Sequence, residues 1–312
     1  MSLTLSIKRS ESSVRCVLII RLGRSRKSCK MSHNGDNSRR LLVIRHGERC
    51  DFTFNQQGIN WMKRAFDVSG KYRPFDLNLP RNIPRRKDGY EKFASDSPLT
   101  EMGYLQSKLT GRALRDHNVK IDYIYCSSAL RCVQTAVGIV KGMDGRSLQL
   151  NIEPGLFEWT QWCRSGIPSW MRPDELENIG YPINTSYTPF VRVEDLKLKE
   201  SLDEYYDRSY ALIRKILKRH SQGTVLIVAH AASLDTITRQ LCGGLPRNQD
   251  DFFYCIQQTP YLACSQAVEQ PNKLWRIASS PIPPLTHASN TSYNSKILAM
   301  NYPQMGCDKC EN

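Results

Sequence analysis

A chain of 312 residues with 40% apolar and 24% charged residues has the composition of a soluble globular protein, and the length for one large α/β domain or two small ones. Its net charge of +14 is unevenly spread: residues 1–40 carry ten Lys/Arg against Glu11 and Asp36, a balance of +8, which leaves only +6 on the other 272. That balance, with arginines scattered rather than laid along one helix, argues against a nucleic-acid surface and for anionic ligands.

Residues 1–30 are Ser/Arg-rich and nearly free of acid. That composition suits a mitochondrial transit segment, a disordered basic tail, or translation upstream of a start at Met31. The expected organisation is a basic extension over 1–38, one folded domain over 39–298 and a tail over 299–312. Leu41-Leu-Val-Ile44 is an unbroken β-favouring run of the kind buried on both faces of a parallel sheet, and it ends abruptly in Arg45-His46-Gly47-Glu48-Arg49. Gly47 is expected to let the backbone turn sharply or approach a ligand closely. Residues 50–97 read as an irregular insertion with a little helix near Ile59–Phe66. Its Pro-punctuated basic stretch Leu79–Gly89 is read as a solvated loop.

Thr100 is positioned to cap a helix with Glu101 in its first turn, and Met102, Leu105, Leu109 and Leu114 are expected on its buried face. Ile121–Cys126 reads as the second strand, followed by a helix capped by Ser127 and Ser128 that carries Arg131 and runs through Val140. Leu148–Ile152 is a short third strand leading into a loop, Glu153-Pro-Gly-Leu-Phe-Glu158-Trp159. Residues 160–200 form a second long insertion. Ser201-Leu-Asp-Glu204 is a capping box opening a helix with Tyr205, Ser209, Leu212, Ile213 and Ile216 inward. Thr224–His230 is the fourth buried strand and ends, like the first, in histidine. A helix over Ser233–Leu241 and a closing hairpin, Leu262–Val268 with Leu274–Ala278, complete an α/β fold without internal repeat.

Eleven cysteines, an odd number without framework spacing, read as reduced thiols in the cytosol, mitochondrial import by the basic N-terminus being the alternative. No run is apolar and long enough to span a membrane. Cys307-Asp-Lys-Cys310 lacks a second ligand pair and reads as tail.

Two histidines and an arginine at three strand ends are harder to dismiss than one histidine. Strand–helix alternation with right-handed crossovers brings those ends to one edge of the sheet, where ligands of α/β folds bind. A phosphoryl group there meets Arg45, Arg49, Arg131, the imidazoles and helix N-terminal amides.

The motifs Arg45-His-Gly-Glu-Arg49, Ser127-Ser-Ala-Leu-Arg131-Cys-Val-Gln-Thr-Ala136, Glu153-Pro-Gly-Leu-Phe-Glu158-Trp159 and Val228-Ala-His230 resemble the histidine phosphatase (phosphoglycerate-mutase-like) superfamily. The likeness is closer to the phosphatase domain of the Sts/TULA proteins and the insect ecdysteroid-phosphate phosphatases, and spans roughly residues 40–295. It implies a three-layer α/β/α fold with a mostly parallel central sheet, a homodimer, and Arg45, His46, Arg49, Arg131, Glu158 and His230 as working residues. Ubiquitin-associated and SH3 modules have no counterpart here, and His230-Ala-Ala stands where the family is expected to read His-Gly-Ser.

The implied function is a metal-independent phosphomonoesterase without cofactor. Neutral His46 attacks phosphorus, the arginines and His230 stabilise charge, and Glu158 acts as acid and then base. The expected substrate is a phosphotyrosyl protein, with a steroid phosphate as alternative. A sugar-phosphate mutase or bisphosphatase, or an inactive phosphate-binding scaffold, is more distant. A cysteine phosphatase is excluded, because Cys126 and Arg131 are separated by four residues where that chemistry needs five. Glu48 is expected to pair with an arginine, His287 to be a structural hydrogen-bonder, and His33, His117 and His220 to be solvated.

Overall fold

The computed structural model of the chain describes residues 38–285 and 294–300. Its sheet contains β1 (Arg40–Arg45), β2 (Tyr123–Cys126), β3 (Leu150–Ile152), β4 (Thr224–Ala229), β5 (Cys264–Glu269) and β6 (Trp275–Ala278), in the order β3-β2-β4-β1-β5-β6. The first four are parallel, while β5 runs antiparallel to β1 and pairs with β6 as the edge hairpin that the sequence predicts. Helices are α1 (Cys50–Asn55), α2 (Trp61–Ala65), α3 (Glu101–Asp116), α4 (Leu130–Gly142), α5 (Pro173–Asn178), α6 (Leu202–Arg219), α7 (Ser233–Thr236) and α8 (Gln249–Gln257).

Strand residues alternate between two cores, because successive side chains point to opposite faces. Leu42, Ile44, Ile124, Cys126, Leu226 and Val228 pack under α4 through Val133 and Val137. Leu41, Val43, Tyr125, Val225, Ile227 and Ala229 meet Leu212, Ile213 and Ile216 of α6 and Leu234 of α7. The three-layer expectation holds. Helix α6 also forms as read, with its capping box closed by Ser201 and Glu204 and the five expected residues buried.

Helix α3 does not bury the face expected of it. Thr100 caps it as anticipated, but Met102, Leu105 and Leu109 are 41%, 46% and 39% exposed, and of the expected four only Leu114 is buried. The buried stripe is Gly103, Gln106, Ser107, Thr110 and Gly111. Small residues let α3 and α4 touch almost backbone to backbone. A Cβ on Gly111 would lie 2.1 Å from the Ile139 carbonyl oxygen, and one on Gly142 would lie 2.0 Å from that of Lys108. Gly47 belongs to the same device. Its Cβ would meet the Gly103 carbonyl oxygen at 2.8 Å, and its φ is not positive, so it serves the approach of α3 and no sharp turn.

Other differences are local. Ser127 and Ser128 do not cap α4; the Leu130 amide donates to Asp96 Oδ1 at 2.8 Å. Asp96 in turn takes a hydrogen bond from Arg86 Nη1 at 2.9 Å, and both side chains are fully buried, so the Leu79–Gly89 stretch is anchored at Arg86 rather than solvated. Arg86 also donates to the Ser169 carbonyl at 2.6 Å, which ties the two long insertions together. Helices α1, α5 and α8 were not anticipated, and the helix expected over Ser233–Leu241 is only α7 followed by a 3₁₀ turn at Gln240–Cys242. His117 is exposed as expected, but His220 is half-buried, stacked on Tyr123 at 3.6 Å between ring centres and bonded to the Tyr125 hydroxyl at 2.9 Å. His33, His287, Cys307 and Cys310 lie outside the described residues.

Candidate active site

The carboxyl ends of the four parallel strands deliver the expected side chains to one edge. His46 follows β1, Arg131 sits in the first turn of α4 after β2, Glu158 lies six residues beyond β3, and His230 follows β4. His46, Arg131 and His230 are 3%, 1% and 1% exposed, and the two imidazoles meet edge to face with centres 5.5 Å apart.

Hydrogen bonding assigns the tautomers. His46 Nδ1 lies 2.8 Å from the Gly47 carbonyl oxygen, which can only accept, so Nδ1 carries the proton and Nε2 keeps its lone pair. His230 Nδ1 lies 3.2 Å from Arg131 Nη2, which can only donate, so that nitrogen accepts and Nε2–H donates to Ser127 Oγ at 2.9 Å. Burial, followed by the charge of Arg131, holds both imidazoles well below their ordinary pKa. Arg45, His230 and Arg49 add to the effect on His46, as do Arg49, Arg45 and Arg208 on His230. Both rings are therefore neutral at neutral pH.

The cations have unequal surroundings. Arg131 Nη2 pairs with Glu158 Oε1 at 2.6 Å. Arg49 forms a two-point pair with Asp51, Nε to Oδ1 at 2.6 Å and Nη2 to Oδ2 at 2.5 Å. Burial opposes the charge on Arg49, but Asp51 outweighs it and holds the guanidinium above its ordinary value. Arg45 donates to the Thr259 carbonyl and lies 4.3 Å over the ring of Tyr261. Burial lowers its pKa to about 10, which leaves it charged at neutral pH. Three guanidiniums thus meet two carboxylates. Arg45 Nε and Arg131 Nε are buried with no hydrogen-bond partner among the described residues. Donors left this way are costly, and an oxyanion would satisfy them.

The chain belongs to the histidine phosphatase superfamily. The model of the histidine phosphatase superfamily (branch 1) matches residues 85–260. Ubiquitin-associated and SH3 domain-containing protein B of Homo sapiens is 40% identical over 268 residues, 84% of this chain and 41% of that protein. Ecdysteroid-phosphate phosphatase of Drosophila melanogaster is 39% identical over 266 residues, 84% of this chain and 34% of that protein. The crystal structure of the Bombyx mori ecdysone phosphate phosphatase with tungstate superposes with a TM-score of 0.69 at 30% identity, covering 83% of this chain and 99% of that one. The chain spans about two fifths or less of the length of the two curated relatives described.

Within this histidine phosphatase domain, several neighbours of the site were not anticipated from the sequence. Asp51 neutralises Arg49, Ser127 and Thr135 hold His230 and the Gly47 amide, and Tyr261 lies 5.7 Å from His46 between ring centres as well as under Arg45. Tyr261 reaches this edge because β5 is antiparallel: the start of β5 lies beside the end of β1, with the Arg45 amide donating to the Ala263 carbonyl at 3.0 Å. The only forewarning was the hairpin assignment itself. Glu48, expected to pair with an arginine, instead accepts from Thr100 Oγ1 at 2.7 Å and Asn78 Nδ2 at 2.9 Å, away from the ring of cations. Ala231 and Ala232 introduce no strain. Neither has a positive φ, and Ala232 sits at φ −63°, ψ −29°.

Proposed function

We propose that this chain is a phosphomonoesterase that works through a phosphohistidine on His46. The observation that carries the proposal is a neutral, buried imidazole, tethered through Nδ1–H with Nε2 free, beside two arginines whose buried Nε donors have no partner. The Nε2 lone pair attacks phosphorus, the P–O ester bond breaks, and its electron pair leaves on the alcohol oxygen, which takes a proton from Glu158. Water then attacks phosphorus, giving its proton to Glu158, and the P–N bond breaks to return the lone pair to Nε2. Arg45, Arg49 and Arg131 hold the non-bridging oxygens throughout. An arriving phosphoryl oxygen competes with Glu158 for Arg131, which pairs with that carboxylate at 2.6 Å. His230 keeps Arg131 in place through Nδ1 and donates to the phosphoryl group only once that nitrogen is protonated.

A phosphotyrosyl protein is the substrate we favour. It presents a bulky ring beside the phosphate, and Tyr261, 5.7 Å from His46 between ring centres, sets an aromatic side chain at that place. A steroid phosphate is the second reading, supported by the likeness to proteins named for ecdysteroid phosphate. Residues 39–298 form the phosphatase domain in this reading, the protein acts as a homodimer, and the seven free described cysteines suit the cytosol.

The test is acid quenching with ³²P-labelled substrate, followed by a panel of phosphotyrosine, phosphoserine and steroid phosphates. Acid-labile label on His46 is expected. Label on cysteine, or turnover without any labelled enzyme in a single-turnover experiment, would overturn the mechanism.

A further inference from the structure

Glu158 sits on a segment with little regular structure of its own. After the 3₁₀ turn Pro154–Leu156 the chain runs extended through Phe157 and Trp159 into a second 3₁₀ turn at Thr160–Trp162. Leu156 packs in the same core as α6, and the polar contacts that fix the segment come from the second turn of that helix. Arg208 Nη1 donates to the carbonyls of Gly155 at 2.6 Å and Phe157 at 3.0 Å, and Nη2 donates to the carbonyl of Glu158 itself at 3.3 Å. The rest of the guanidinium is held by Glu200, Nε to Oε2 at 3.0 Å and Nη2 to Oε1 at 2.5 Å, with side chains only 11% and 3% exposed. Glu200 closes the loop from the far side. Its Oε1 accepts from the Thr160 amide at 3.1 Å, its amide donates to Thr160 Oγ1 at 3.1 Å, and its carbonyl accepts from Trp159 Nε1 at 2.8 Å.

We propose that Arg208, oriented by Glu200, is a positioning residue that sets where the Glu158 carboxylate stands relative to Arg131 and His46, and so how well it passes its proton. Three carbonyls on one side and a two-point carboxylate on the other match the flat five-donor guanidinium fork. A lysine ammonium has three donors and no such plane. None of these hydrogen bonds reaches the phosphate cradle, and Arg208→Lys keeps the positive charge felt at His230, so the effect of that substitution passes through the segment that carries Glu158. The proposal rests on Glu158 acting as the proton donor.

The test is a mutant cycle in the full chain between Arg208→Lys and Glu158→Gln, read with p-nitrophenyl phosphate, whose leaving group needs no acid, and an alkyl phosphate, whose leaving group does. Misplacing a reacting group by about 1 Å can cost on the order of 10²-fold. Arg208→Lys is therefore expected to lower kcat on the alkyl phosphate about 10- to 100-fold, with a much smaller change on p-nitrophenyl phosphate and little change in KM. In the Glu158→Gln background the same substitution should add almost nothing. Equal losses on both substrates, or losses that multiply in the double variant, would overturn the proposal. If Arg208→Lys does not fold, Arg208→Met combined with Glu200→Gln, which leaves no orphaned buried charge, takes its place in the cycle. A flat leaving-group profile for Glu158→Gln alone would sink the proton-donor reading, and the cycle would still report whether Arg208 acts through Glu158.

Discussion

The two halves of the site are built by different means. The proposed phosphate cradle stands on backbone topology. His46 and His230 terminate adjacent strands in register, with the His46 amide bonded to the Ala229 carbonyl at 2.9 Å, and Arg131 rides the first turn of a helix seated on α3. The proposed acid half stands on side chains, because Glu158 lies in a segment pinned by the buried Leu156, Phe157 and Trp159 and by polar contacts with residues some forty to fifty positions away. A cradle made of strand ends is rigid because breaking it means breaking the sheet. A loop held by hydrogen bonds can shift while the fold survives. The cradle should therefore answer to substitution in an all-or-none way, and the acid segment by degrees.

The largest expected effect probes the cradle. His46→Ala should lower kcat on the order of 10⁴–10⁶-fold, as loss of a covalent nucleophile does elsewhere, while the circular dichroism spectrum and melting curve stay close to wild type. Retained turnover on any phosphomonoester would remove His46 from the covalent step.

Next comes the acid half. Glu158→Gln should slow alkyl phosphates most, by about 10²–10⁴-fold as general acid catalysis allows, tyrosyl phosphates less, and p-nitrophenyl phosphate least, with little loss. That grading assumes that transfer to His46 limits the rate, which a burst-free time course would establish. One common factor for all three substrates would mean that Glu158 organises Arg131 instead.

A third variant loads the cradle from behind. Gly111→Ala puts a methyl group where the Ile139 carbonyl already stands, 2.1 Å away. Overpacking of this kind costs about 1–3 kcal/mol, seen as a lower urea midpoint. Because α4 carries Arg131, weaker vanadate inhibition should accompany it. An unchanged midpoint would mean that the α3–α4 contact is looser than described.

The smallest effect is in the pH dependence of stability. His46 and His230 are held well below their ordinary pKa in the folded protein, so the unfolded chain binds their protons first. The stability they contribute is complete above the unfolded value of about 6.5 and is lost as pH falls from there toward their folded values. Each contributes at most about 1.4 kcal/mol per pH unit in that window. Replacing His46 by Gln should flatten the fall in urea midpoint between pH 6.5 and 5, and identical slopes would argue that His46 is already protonated there.

Much of the fold and of the site was legible in the sequence, because the signals were local and periodic. Leu41–Ile44 and Thr224–Ala229 announce buried strands by unbroken β-favouring residues, Ser201 and Glu204 announce a helix start, and a histidine directly after each of two such strands can only lie at the sheet's carboxyl edge. Connectivity then brings His46, Arg131 and His230 together without reference to any other contact.

Tertiary structure decided what depends on approach between distant segments. The apolar row Met102, Leu105, Leu109 outweighs Gly103, Ser107 and Gly111 on any hydropathy count, yet α3 buries the small residues, because two backbones in contact gain more packing than bulky side chains holding them apart. Asp96 replaces the adjacent serines as the cap of α4 because a buried carboxylate already paired with Arg86 can reach the Leu130 amide. Tyr261 meets Arg45 because an antiparallel strand enters where parallel ones leave. The position of Glu158 depends on Arg208 and Glu200, whose part in it no spacing along the chain reveals. Short-range order follows from residue type and period. The partners of charged and small residues are set by which segments meet in space, and that geometry is a property of the folded chain alone.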